Sequence, residues 1–445
     1  MAMSKEKVIR RKTLIRYVVP TVLSSCCFFL FTIIDGIFVG NGVGTDALGA
    51  VNLVMPFVMV VNALFMLATI GGVTVAAIRF GRGDEDGANQ AFMHSIISIA
   101  LIAIVLTAVG TLLTDQISRL LGANDTFHQL VKDYLFWYSV FIIPSGLSSA
   151  LQRFCRNDGD PILVSVAVII GTACNIFGDW LTVFPLRMGL KGAAIATGVS
   201  QTVTLLIVLI HFINKKGRLR IISLSQFKPD GALFKKIAMR GLPETVAQFA
   251  TPVATLCMNY VLLERIGNIA VNAYSIICYV ASFAVAIFFG SAEGLQPLFG
   301  QSYGAREDGD LKYYFKSGVV INFVGSCLIT VLLYFVGGGI CKMFGADSET
   351  LAFTIKYMPQ YSWGFIFMSL NTIASAYLYS TKRTREALIL NVLHSFIFNS
   401  TAIIILPMIF GNGIIWSTFG IYEIMVMIAA IILIRRSERN GIVYK

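Results

Sequence analysis

The chain has 445 residues, 56% of them hydrophobic and 13% charged, with a formal net charge of +11. Soluble domains carry about 25% charged residues, so this composition excludes an ordinary soluble domain and belongs to a polytopic membrane protein. The positive charge does not indicate a nucleic-acid partner, because its carriers lie between apolar stretches, on one side of them.

Stretches long enough to span a bilayer, roughly 20 residues each, recur along the whole length. They fall at 14–40, 47–78, 91–114, 131–153, 161–184, 190–213, 236–263, 268–300, 315–341, 352–379, 387–410 and 413–434. These predict an all-α fold of about twelve transmembrane helices. The first follows a basic start (Lys5, Lys7, Arg10, Arg11, Lys12). It is longer than the about 7–15 apolar residues of a signal peptide, so it reads as a retained helix.

Helix one carries Pro20, which deletes a backbone hydrogen bond and predisposes a kink, and further along it carries Asp35. At ~1.5 Å per residue, Asp35 lies ~28 Å from the inner end of its span, and Asp179 in helix five lies ~27 Å from its own. Thr197 enters helix six from the outer side and reaches ~10 Å depth by the same rise. Asn175 stands four residues before Asp179 and shares its helix face. A carboxylate inside a bilayer is costly and is a functional-site hypothesis by default. Two acids, an amide and a hydroxyl at matching depth predict a site for Na⁺ or for a shared proton. The competing reading has Asp35 at the outer headgroups and Asp179 near its helix end; it does not account for the convergence.

The basic, polar segment 214–235 divides an N-terminal lobe, 1–213, from a C-terminal lobe, 236–445. In the second lobe Glu244, beside Pro243, and Glu293 fall near inner helix ends, while Glu423 falls near mid-membrane. Gln248, Asn259, Asn272, Tyr274, Tyr279, Asn371, Ser375 and Tyr377 are interleaved with Met258, Phe283 and Phe365. With Glu423 they are candidates to line an amphipathic cavity for flat organic molecules. Helix–helix hydrogen bonding explains any one polar member equally well. The histidines at 94, 128, 211 and 394 are scattered and read as structural or interfacial. The eight cysteines form no C-x-x-C pair and read as packing residues.

The chain is written twice. Ala50-Val51-Asn52 recurs as Ala270-Val271-Asn272, Phe80-Gly81 as Phe299-Gly300, and Glu85-Asp86-Gly87 as Glu307-Asp308-Gly309, at separations of 220, 219 and 222. Gly192 and Thr197 match Gly413 and Thr418, both 221 apart. Two halves of six helices each are parallel repeats, with a substrate cavity expected between them. Shifting Asp35 by 220–223 lands on Thr255, Leu256, Cys257 or Met258, so the acids belong to one half. With the N-terminus inside, 28 of the 35 basic residues fall on the inner side and 7 outside, which predicts both termini in the cytoplasm.

These residues resemble the multidrug and toxic compound extrusion (MATE) family, in its DinF/MepA-like bacterial branch. Pro20 with Asp35 in IIDGIFVG, the RNDGDP turn, Asn175 and Asp179 in NIFGDWLTVF, GLKGAAIATGVSQ with Thr197, and EGLQPLFGQSYGAR carry the resemblance, which covers essentially the whole chain. It implies two six-helix bundles around a central cavity, in a bacterial plasma membrane. It also implies export of cationic or amphipathic organic compounds in exchange for H⁺ or Na⁺, with cation or proton binding at Asp35, Asn175, Asp179 and Thr197. The acids of the NorM-like branch in helices seven and ten correspond here to Thr251 and Ser375, which favours coupling through the first lobe.

The expected protein is therefore a monomeric antiporter in the lipid bilayer, without a cofactor, nucleic acid or obligate protein partner. The absence of G-x-x-x-x-G-K-[ST], and of any Gly-Lys pair, argues against ATP-driven transport. A lipid-linked-precursor flippase of the same superfamily is the alternative, but its pyrophosphate would call for basic residues, of which these spans are nearly free. A membrane enzyme lacks support, since H-E-x-x-H and D-D-x-x-D are both absent.

Overall fold

The computed structural model describes residues 2–43, 45–121, 123, 125–214, 217–221, 226–343 and 348–439. In chain order the first helices are α1 (Ala2–Gly42), α2 (Thr45–Gly81), α3 (Glu85–Leu112), α4 (Thr114–Leu120), α5 (Asp125–Val140), α6 (Ile142–Asn157), α7 (Pro161–Val183) and α8 (Leu190–Ile213). They are followed by α9 (Gly231–Ala247), α10 (Ala250–Arg265), α11 (Asn268–Ala305), α12 (Asp308–Met343), α13 (Ser348–Ser362), α14 (Gly364–Ser380), α15 (Thr384–Val392), α16 (Asn399–Phe410) and α17 (Thr418–Arg439). A π-helical turn, Leu393–Phe398, joins α15 to α16, and a 3₁₀ turn, Asn412–Ser417, precedes α17.

The fold is all-α, and every one of the twelve expected spans lies on helix. Among the described residues nine helical stretches are long and apolar enough to cross a membrane, and α5 with α6, bent by 52°, makes a tenth. The remaining expected spans, 14–40 and 352–379, fall on α1 and on α13 with α14.

Proline chemistry sets two of the breaks. Pro144 cannot donate to the carbonyl of Val140, and the chain turns at Phe141 between α5 and α6. Pro252 likewise leaves the carbonyl of Gln248 without its helical donor, and α9 gives way to α10 at Gln248–Phe249. Capping fixes the starts. The Asp84 side chain accepts from Gly87 N at 2.8 Å ahead of α3. Asp160 accepts from Leu163 N at 3.2 Å ahead of α7, whose first residue is Pro161.

The chain divides into two compact units, Ile15–Gly241 and Leu242–Lys445 with Met1–Leu14. In the first, α7 and α8 approach closely because small residues face each other. A Cβ on Gly171 would run into the Thr204 hydroxyl, and one on Gly178 would meet Ala196 at 3.0 Å. One end of this unit is filled by Phe92, Phe154 and Phe212, with Phe92 4.9 Å and 5.2 Å from the other two ring centres.

The stretch after α8 folds onto the same unit. Asp158 accepts from Arg218 N at 2.8 Å, Asn89 from Arg220 N at 2.7 Å, and His94 lies between Phe227 and Phe234. The second unit is built on an aromatic core in which Tyr361 stacks on Phe419 at 4.5 Å and Tyr357 on Trp416 at 5.2 Å. Each such pair adds about 0.5–1.5 kcal/mol beyond its buried area.

Candidate functional site

Asp35 comes from α1, Asn175 and Asp179 from one face of α7, and Thr197 from α8. The four meet within the first unit. The carboxyls of Asp35 and Asp179 lie within hydrogen-bonding reach of each other. Asn175 Nδ2 donates to Thr197 Oγ1 at 3.3 Å. Asp179 is fully buried, Asn175 nearly so, and Asp35 is half-buried.

Apart from the contact between the carboxyls, no donor among the described residues reaches Asp35 Oδ1, either Asp179 oxygen or Asn175 Oδ1. Buried oxygens without donors are costly, and an ionised carboxylate can only accept. The arrangement is resolved when a proton joins the two acids or when a cation takes up the exposed lone pairs. An all-oxygen set of carboxylates, an amide carbonyl and a hydroxyl suits either, and oxygen donors are what a hard cation prefers.

The sequence reading missed one neighbour. Tyr134 of α5, buried, lies within electrostatic range of both carboxyls and stacks on Tyr138 with ring centres 6.4 Å apart. Its spacing of four residues from Tyr138 on a bent span was the available signal.

Pro20 lies inside a continuous α1, and its carbonyl accepts from Ser165 Oγ at 2.6 Å and from Ser24 Oγ at 2.7 Å. The hydroxyls tie the proline turn of α1 to α7, the helix that carries Asn175 and Asp179.

The second unit disperses the candidate cavity residues. Met258 is buried in the aromatic and aliphatic core with Tyr274 and Trp416. Gln248 is exposed at the α9–α10 break and donates to Glu244 Oε1 at 3.2 Å. Asn259 is half-buried with no partner for Oδ1, and Phe283 is 41% exposed. Ser375 donates to Asn391 Oδ1 at 2.9 Å. The side chains of Asn272 and Tyr279 lie outside the described residues. Asn371 and Glu423 do come together, the amide donating to Glu423 Oε2 at 2.7 Å, and His394 joins them.

The family model MatE matches residues 20–181 and again 243–405. The chain belongs to the MatE family. The two matches start at 20 and 243, close to the offset of the internal repeat, so each half is one copy of the MatE unit. Among curated proteins, the chain is 24% identical over 413 residues to "Multidrug export protein MepA" of Staphylococcus haemolyticus, covering 91% of this chain and 89% of that one. It is 23% identical over 427 residues to the Staphylococcus saprophyticus protein of the same name, covering 95% and 93%.

Among solved structures, an outward-facing MATE family transporter of the MOP superfamily superposes with a TM-score of 0.89 at 21% identity, over 97% of this chain and 96% of that one. A MOP superfamily transporter from Pyrococcus furiosus, described as having a binding pocket of reverse polarity, gives 0.88 at 22% identity over the same shares. The MatE fold, a multi-pass membrane protein of two six-helix bundles, is thus the fold of this chain.

Proposed function

We propose that this MatE protein is a secondary-active exporter of cationic or amphipathic organic compounds, driven by inward movement of H⁺ or Na⁺ through Asp35 and Asp179. The observation that carries the reading is the donor-poor acid pair in the first unit, with the Asn175–Thr197 bond beside it. The names of the staphylococcal relatives support the substrate class.

The coupling ion binds from outside, where its own charge satisfies oxygens that have no protein donor. Its departure leaves those oxygens desolvated, so the empty site favours a conformation that admits water. Thr197 and Asn175 hold the amide carbonyl toward the acids. Pro20 is the hinge at which α1, continuous in this structure, would bend to carry Asp35, with the Ser24 and Ser165 hydroxyls bracing its carbonyl. The two units serve as the lobes of alternating access, the chain passes from one to the other at Leu14–Ile15 in α1 and at Gly241–Leu242 in α9, and both termini face the cytoplasm of a bacterial plasma membrane. The protein works as a monomer on small organic substrates.

The test is efflux of a fluorescent organic cation from proteoliposomes under a pH gradient and, separately, under a Na⁺ gradient. One gradient is expected to drive efflux in the natural protein, and Asp35→Asn is expected to uncouple it while dye binding persists. Gradient-driven efflux at the natural rate in Asp35→Asn would overturn the coupling role.

A further inference from the structure

Glu423 is a second buried acid in a span, remote in sequence from Asp35 and Asp179 and in the other unit. It is 1% exposed, on α17. Its Oε2 accepts from Asn371 Nδ2 at 2.7 Å, and its Oε1 lies 3.0 Å from His394 Nε2. Asn371 also donates to the Glu423 backbone carbonyl at 2.9 Å.

The groups facing this carboxyl from the packed elements are few. The π-helical turn contributes His394, α14 the neutral Asn371, α13 the phenol of Tyr361, and α17 itself Tyr422. The ion-pair partner of Glu423 among the described residues is His394, and it is a group that can lose its charge.

A carboxylate removed from water without a fixed cation is expensive in an apolar span. Electroneutrality therefore demands one proton on the pair, either on the carboxyl facing Nε2 or on an imidazolium facing the carboxylate. Asn371 stabilises either form without adding charge. His394, with its side chain 18% exposed, is the less enclosed member of the pair, whereas Glu423 itself is sealed.

The backbone around His394 adds an independent observation. Residues Leu393–Phe398 are π-helical, a rare conformation found mostly at functional sites. The turn is held on one side by Asn391 to Pro243 O at 2.7 Å, Ser395 to Val246 O at 3.1 Å and Asn399 to Ala250 O at 3.2 Å. These carbonyls flank the broken α9–α10 span. On its other side the described side-chain tie is His394 to Glu423.

We propose that His394 and Glu423 form a second proton-exchange site, with the π-helical turn as the element whose position the proton controls. The proposal goes beyond the coupling role of Asp35 and Asp179, and the repeat keeps the two apart. The 221-residue offset that pairs Thr197 with Thr418 sets Glu423 against Thr202, so this acid too belongs to one half only.

Solid-state ¹⁵N spectra of the reconstituted full chain, with histidine labelled selectively, test it. The four imidazoles are assigned by single substitutions, His394 by His394→Gln. The His394 ring is expected to change protonation state across the pH range scanned, and Glu423→Gln is expected to move its midpoint by at least about one pH unit, a tenfold change in proton affinity. Asp35→Asn/Asp179→Asn is expected to leave that titration unchanged even if export is lost, which separates this site from the first. A His394 ring that keeps one state across the range in the natural protein overturns the proposal without any acid variant, so misfolding of Glu423→Gln cannot shelter it. An identical midpoint in a folded Glu423→Gln protein overturns it equally.

Discussion

Asp158 offers the sharpest structural test, because one carboxylate organises three segments. It caps the end of α6, its side chain is fully buried, and it meets His211 Nε2 at 2.9 Å on α8. It also accepts from the backbone N–H groups of Arg218 at 2.8 Å and Leu219 at 3.1 Å, so it pins the chain that leaves α8. Gly217 lies against the carboxylate so closely that a Cβ would collide with it.

Asp158→Ala strips the acceptor from two amides and one imidazole. Hydrogen bonds to a charged group contribute about 1.5–3 kcal/mol each, so the two amides alone lose at least about 3 kcal/mol. At 1.4 kcal/mol per factor of ten, opening of residues 217–221 should become roughly 10²-fold more populated. Asp158→Asn keeps one acceptor oxygen and should cost about half as much, near tenfold.

Trypsin reads this directly, since Arg218 and Arg220 lie in the pinned segment. Where opening is fast relative to cleavage, the rate follows the open population. The expected order is Ala fastest, Asn intermediate, natural protein slowest, with helical circular dichroism unchanged. Cleavage of Asp158→Ala within about twofold of the natural rate would refute the assignment of these energies to the carboxylate.

Two further outcomes follow from the geometry. Thr197→Val removes the acceptor of Asn175 Nδ2, a nearly buried donor, at about 1–2 kcal/mol. Affinity for the coupling ion, measured as the gradient needed for half-maximal efflux, should fall by up to about tenfold, whereas Thr197→Ser should stay near natural. Asp115, outside the spans, is held at about 2 by the Lys132 ammonium and by His128, bonded at 2.9 Å and 3.0 Å. A depressed folded-state value means that this tie stabilises above the ordinary carboxyl range and is lost as pH falls from about 4 toward 2. The melting-temperature difference between the natural protein and Lys132→Gln should therefore be steady above about pH 5 and shrink below it. A difference that grows on acidification would refute the sign.

What the sequence reveals about such a molecule follows from what lipid penalises. All twelve spans were legible because about 20 apolar residues are needed to cross a bilayer, and that requirement is written residue by residue. Asp35 and Asp179 were legible for the opposite reason, since a charge in an apolar run is conspicuous whatever it contacts. Partners are another matter. Tyr134 reads like any aromatic in a span, and only the packing of α5 brings it within range of the acids. His394 passed for a structural histidine because its partner lies 29 residues away on another helix. Met258 and Asn259 are adjacent in sequence, yet one is core and the other half-buried, which helix phase decides and composition does not. The costly residues are thus announced by the sequence, while the groups that make them tolerable are tertiary. This is also why Glu423 gains a chemical role only when His394 is seen beside it. An acid in lipid requires a proton or a cation, and only the neighbour decides where that proton can go.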